Sequence, residues 1–211
     1  MAPKHLAVGF GTADITPAMG IQLAGDIGRH RPTEEIRMPL SARALIVEDG
    51  DKTICIIQAD VIGMAGHIAH ELAVTVANRL GTAPEAVMLH TPQSHSSPAV
   101  GHYWTINESA HIPADCPWLR GGDDRYIEPF KAGVLAAVNA AMKSRVPATL
   151  HLGRTTDGRA AFNRRFAMRG GAAGMQPEKM FLETFPGLSS GARASRCIRP
   201  LAAGTSCTVR A

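Results

Sequence analysis

The chain lacks several features that would assign it quickly. It has four cysteines in 211 residues, Cys55, Cys116, Cys197 and Cys207. No Cys-x-x-Cys pair occurs among them, so a structural zinc knuckle has no framework. Aromatics are scarce: two Trp, two Tyr and six Phe. So few aromatics leave little for stacking nucleobases. No apolar run approaches the roughly 18 residues needed to span a bilayer. The opening "MAPKHLAVGFG" has no apolar core of a secretory signal, so a cytoplasmic location is expected. Gly-x-Ser-x-Gly is absent around Ser94, Ser96 and Ser97, and no helical His-x-x-x-His pair occurs.

Charge also excludes. The net charge is +4, but the excess is local. After Gly158 the chain carries eight Arg and one Lys against Glu178 and Glu183, whereas acids slightly outnumber bases before it. The first three-quarters therefore has no electrostatic footprint for nucleic acid.

What is present is an α/β pattern. "HLAVGFG" reads as a strand, and residues 26–40 read as a polar loop. Ala42–Val47 and Thr53–Ala59 flank an Asp-Gly turn and predict a hairpin. Its second arm, "TICIIQA", is nearly unbroken and predicts a strand covered on both faces. Ile68, Leu72, Val76 and Leu80 repeat at helical spacing before Gly81, predicting a helix over Gly66–Gly81. A strand follows at Glu85–His90, and an irregular stretch runs to about Gly122. An Ala-rich helix is expected over Asp124–Arg145, then strands in "ATLHLGRTT" and "AAFNRRFAM". This order predicts a mixed sheet with flanking helices.

The chemistry concentrates in "LHTPQSHSSPAVGH", Leu89–His102. A polar loop at the end of a strand is where α/β proteins place their sites. Asp60 ends the preceding strand; as a neighbour of His95 it would fix the imidazole tautomer and raise its basicity. His90 closes a strand, where a hydrogen-bonded histidine is an ordinary occupant. His102 and His111 lie in a long loop, and His67 and His70 on a helix surface. His95, among small residues and ahead of Pro98, has the best case for function.

Four stretches, in order, resemble the neutral/alkaline non-lysosomal ceramidase family. They are "GFGTADITPAMGIQLAG", "LSARALIVEDGDKTICIIQADVIGM", "VMLHTPQSHSSP" and "AFNRRF". The resemblance spans about residues 7–170 and implies the N-terminal part of that family's catalytic domain. It implies hydrolysis of the amide of ceramide, or of a related lipid, with one zinc ion. Aligned through Ser96 and Pro98, Gln93 stands where the family has a zinc-binding His, and His95 stands at its catalytic His. Arg164 falls at a substrate-contacting arginine, with Asn163 beside it. Asp60 would hold the loop histidine. The remaining family ligands, a second His, a Glu and a Tyr, lie downstream, so the activity is expected to be incomplete in this chain.

Two other readings stay open: a non-catalytic binding module that keeps the fold without the metal, and a metal-free hydrolase using a loop serine. Domain organisation is read as a partial domain over 1–187 and an irregular basic tail over 188–211. That tail is either an ordinary disordered segment or out-of-frame sequence. A partial domain should leave apolar surface uncovered, so a homo-oligomer is expected.

Overall fold

The computed structural model describes residues 6–26, 28–102 and 112–154, and three further strands. The chain divides into two compact units, Met1–Thr149 and Leu150–Arg210. In chain order the first holds strands β1 (Leu6–Asp14), β2 (Ser41–Asp49), β3 (Lys52–Ala59) and β4 (Gly63–Met64). Helix α1 (Gly66–Leu80), β5 (Val87–His90), β6 (Ala99–Val100), helix α2 (Ile127–Lys143) and the start of β7 (Val146–Arg154) follow. The second unit holds the rest of β7, an antiparallel hairpin of β8 (Arg165–Ala167) and β9 (Ala173–Met175), and β10 (Thr205–Arg210). Apart from β10, residues 188–211 lie outside the described residues.

The main sheet of the first unit runs β7-β1-β2-β3-β5. It is mixed, with β3 parallel to β5 and the other pairs antiparallel. The architecture is thus α/β with flanking helices, as the sequence pattern requires. Asp49–Lys52 closes the β2–β3 hairpin through Gly50, whose φ of 58° suits glycine. Helix α1 is the crossover between the parallel pair, and Gly81 caps it at φ 66°.

Side-chain size explains where α2 lies. Gly9 and Gly11 of β1 face it, and a Cβ on either would sit about 2 Å from the carbonyl oxygen of Ala141 or Ala137. The helix backbone therefore rests almost directly on the strand. Phe130, Val134, Ala137, Val138 and Ala141 form its buried stripe and meet Ala42, Ala44, Ile46, Cys55 and Ile57 of the sheet. Ile68, Leu72, Val76 and Ala77 of α1 join the same core. Truncating Phe130, fully buried at its centre, to Ala would cost ~3–5 kcal/mol.

Both helices lie on one side, and this corrects the expectation for "TICIIQA". Cys55, Ile57 and Ala59 are buried, but Ile54 on the other face is 45% exposed. The outer face carries two apolar cross-strand rows. One runs Phe10–Leu45–Ile56–Met88, the next Val146–Val8–Val47–Ile54. The following row, Thr12–Arg43–Gln58–His90, is polar.

Candidate functional site

Strands β3 and β5 end together, and the chain leaves β3 at Asp60 and β5 at His90. The carboxyl ends of parallel strands are where backbone groups are free to receive ligands.

Asp60 is committed to the hairpin. Its carboxylate accepts from the Ser41 backbone N–H at 3.0 Å, the Ser41 hydroxyl at 2.8 Å and the Gln58 amide at 2.8 Å. Arg43 Nη1 donates to both carboxylate oxygens at 3.0 and 3.1 Å, and to Gln58 Oε1 at 2.6 Å. Burial pushes the carboxyl up, but the bonds from Gln58, Arg43 and Ser41 together outweigh it and hold the pKa at about 2. Among the described residues no hydrogen bond joins Asp60 to His95.

The loop after β5 turns sharply at Gln93, whose φ of 59° puts a non-glycine residue in the left-handed region. Gln93 and His95 are exposed, and Ser97 is buried with its hydroxyl donating to the Ser94 carbonyl at 2.8 Å. Two neighbouring segments clamp the loop. From one side, the Ala24 N–H donates to the Ser97 carbonyl at 3.0 Å. Arg31 Nη1 on the same segment bridges the His95 carbonyl at 3.3 Å and the Asp26 carboxylate at 3.1 Å. Gly25, at φ 112°, lies so close to His95 that a Cβ there would be 2.9 Å from the His95 Cβ and Cγ. From the other side, the Ile62 N–H donates to the Pro98 carbonyl at 3.2 Å, and β4 pairs with β6 in parallel. Ala24, Ile62 and Ala99 make a small apolar cluster beneath.

Nearby, the His30 ring stacks on Trp118 with centroids 4.5 Å apart, and Trp118 Nε1 donates to the Gly28 carbonyl at 3.3 Å. His102 Nε2 lies 3.4 Å from Asp124, an ion pair only when the imidazole is protonated.

The structure thus brings Gln93 and His95 onto one exposed turn and sets Asp60 into a separate network at the strand ends. Asn163 and Arg164 lie outside the described residues. Gly25 and Arg31, which seat His95, fall within stretches that read from sequence as turn and polar loop. The glycine of "QLAG" was the one local signal.

Zinc catalysis needs about three protein ligands and an open position. Among the described residues no three His, Cys, Asp or Glu side chains converge to hold a metal. Gln93 offers a neutral amide oxygen, a weak donor beside imidazole. The described donors therefore do not by themselves fit a zinc ion. No helix of the described residues is long and apolar enough to cross a membrane.

No family model matches the chain, and no curated protein matches it. Its fold does match solved structures. One is the crystal structure of neutral ceramidase from Pseudomonas aeruginosa, with a TM-score of 0.60 and 22% identity over 76% of this chain and 25% of that one. Another, ceramidase complexed with C2, matches with the same score, identity and coverage of this chain, over 24% of its own length. The chain spans about a quarter of the length of these structures. At this identity the likeness is one of fold, and the architecture is ceramidase-like.

Proposed function

We propose that the chain is a ceramidase-like hydrolase domain acting on the amide bond of ceramide or a related lipid, with the His95 loop as its contribution to the site. The observation that supports this reading is the exposed His95 turn, held between two segments at the strand ends of a ceramidase-like fold. In this reading water adds to the amide carbonyl. His95 takes the water proton and returns it to the leaving nitrogen as the C–N bond breaks, giving a fatty acid and an amine. Asn163 and Arg164 would orient the carbonyl or head group. Asp60 ties the ends of β2 and β3 to each other and, among the described residues, makes no hydrogen bond to His95. The zinc that the sequence resemblance implies would supply a water of lowered pKa. Its ligands beyond Gln93 would have to come from outside the described residues.

A second reading, a lipid-binding module without catalysis, is favoured by Gln93 standing where the family has a metal-binding histidine. One experiment separates the two. The purified chain and its His95→Ala variant are incubated with a fluorogenic short-chain ceramide, with and without zinc, and binding and release of the amine are followed in parallel. Release that falls at least ~100-fold in the variant supports the hydrolase. Saturable binding without release supports the module. Neither binding nor release overturns both.

A further inference from the structure

The inner face of the main sheet is closed by α1 and α2, and among the described residues the two apolar rows of the outer face carry four exposed side chains, with Leu45, Val47 and Ile56 half-buried and Val8 buried. Phe10 is 56% exposed, Met88 54%, Ile54 45% and Val146 43%. An antiparallel sheet with one wet face ordinarily alternates apolar-in with polar-out. Here both faces are apolar over the middle of the sheet. Polar groups bracket this centre: the Arg43–Gln58–His90 row at one end, and Asp49 opposite Lys52 at the hairpin turn. An apolar centre with a polar rim is the anatomy of an interface.

We propose that this outer face packs against the same face of a second copy of the chain, sheet on sheet, in a two-fold dimer. Three observations select this occupant. The first is size. Strands spaced ~4.8 Å apart and up to nine residues long give the face a footprint of at most ~600 Å², the per-partner scale of the smaller, weaker protein interfaces. The second is charge. Arg43 is paired with Asp60 at 3.0 Å, and Asp49 stands across from Lys52, so a copy of the face meets no excess of like charge. The third is the poverty of the alternative route. The free edge at β5 is four residues long and runs straight into the loop at Thr91 and Pro92, leaving few ladder groups for edge pairing. Two twisted sheets meeting face to face stack ~10 Å apart with their strands ~30° from parallel, and a two-fold axis requires the same patch on both sides.

The inference stands independently of the hydrolase reading. Its test is sedimentation velocity on the full chain from micromolar to hundred-micromolar concentration, beside Phe10→Lys and Met88→Lys. Both residues are exposed in the protomer, so their replacement leaves the core intact, as circular dichroism will check. Asn78→Lys, at an exposed position of α1, is the control. The expected result is a discrete dimer of twice 22.3 kDa for the wild type and the control, and at least a hundredfold weaker association for each face variant. On the wild type itself, peroxide oxidation of Met88 should slow as protein concentration rises. A monomer at every concentration overturns the proposal, and so does a dimer or aggregate that both lysine variants leave unchanged. Protection of the β5 backbone from hydrogen exchange on dimerisation, with Met88 oxidation unaltered, would assign the contact to the edge and equally overturn it.

Discussion

Replacing Asp60 with Asn tests whether the carboxylate acts as a latch on the hairpin. The side chain keeps its shape but loses its charge, and its new amide N–H groups face donors from Ser41, Arg43 and Gln58. A carboxyl lowered from 3.8 to about 2 corresponds to about 2 kcal/mol of stability. One side of the group meets solvent, so screening reduces this toward ~1 kcal/mol. The folded-state value lies below the unfolded one, so the unfolded chain binds the proton more tightly. The contribution is therefore complete above about pH 4 and disappears as the pH falls through about 2. Urea denaturation of wild type and Asp60→Asn should differ by ~1–2 kcal/mol at pH 7, and the gap should close between pH 4 and pH 2. The His95 ring resonances should keep their wild-type shifts at neutral pH, because the Asp60 bonds run to β2 and β3. A gap that persists unchanged to pH 2, no gap at pH 7, or a displaced His95 resonance would refute the assignment of Asp60 to the hairpin.

Gly25→Ala should cost ~1–3 kcal/mol in urea denaturation and displace the His95 ring signals, since the new methyl overlaps His95 at a positive φ. Gln93→Gly should raise stability by ~0.5 kcal/mol in thermal denaturation, by relieving the left-handed backbone at φ 59°. Burial pushes the Cys55 thiol up to about 11, so alkylation at pH 8 followed by mass spectrometry should modify Cys116 in the folded protein and Cys55 only in urea.

The parts of the fold legible in the sequence were those with a strict local signal. The Asp-Gly turn fixed the β2–β3 hairpin, and four apolar residues at helical spacing before Gly81 fixed α1. The Ala-rich second helix was equally visible, though its first turn, Asp124–Tyr126, is a 3-10 turn capped by the Asp123 side chain. The one-sided covering of β3 escapes the sequence for a physical reason. An apolar residue facing an open sheet face looks, in one dimension, like one facing a second layer. The partnership of Asp60 was hidden because its competitors for the carboxylate, Ser41 and Arg43, lie on β2, and the hairpin register decides which side chains meet. The clamp on His95 was hidden for another reason. Residues 20–33 have no period to read, and the close approach of Gly25 to His95 is a tertiary fact.

The bare strip of β1 sets the order in which the molecule can be finished. Gly9 and Gly11 have no side chains to bury, and what fills their side of the strand is the backbone of α2, some 130 residues later in the chain. On the ribosome, β1 and the hairpin it joins emerge long before that helix exists. At 5–20 residues per second the delay is on the order of 10 s. For that interval the small-residue face of β1 has nothing to hold it, and the nascent chain must be kept from wrong contacts while it waits for its second helix. Slowing synthesis between β3 and α2 should therefore lower the yield of folded protein more than the same pause placed after Lys143.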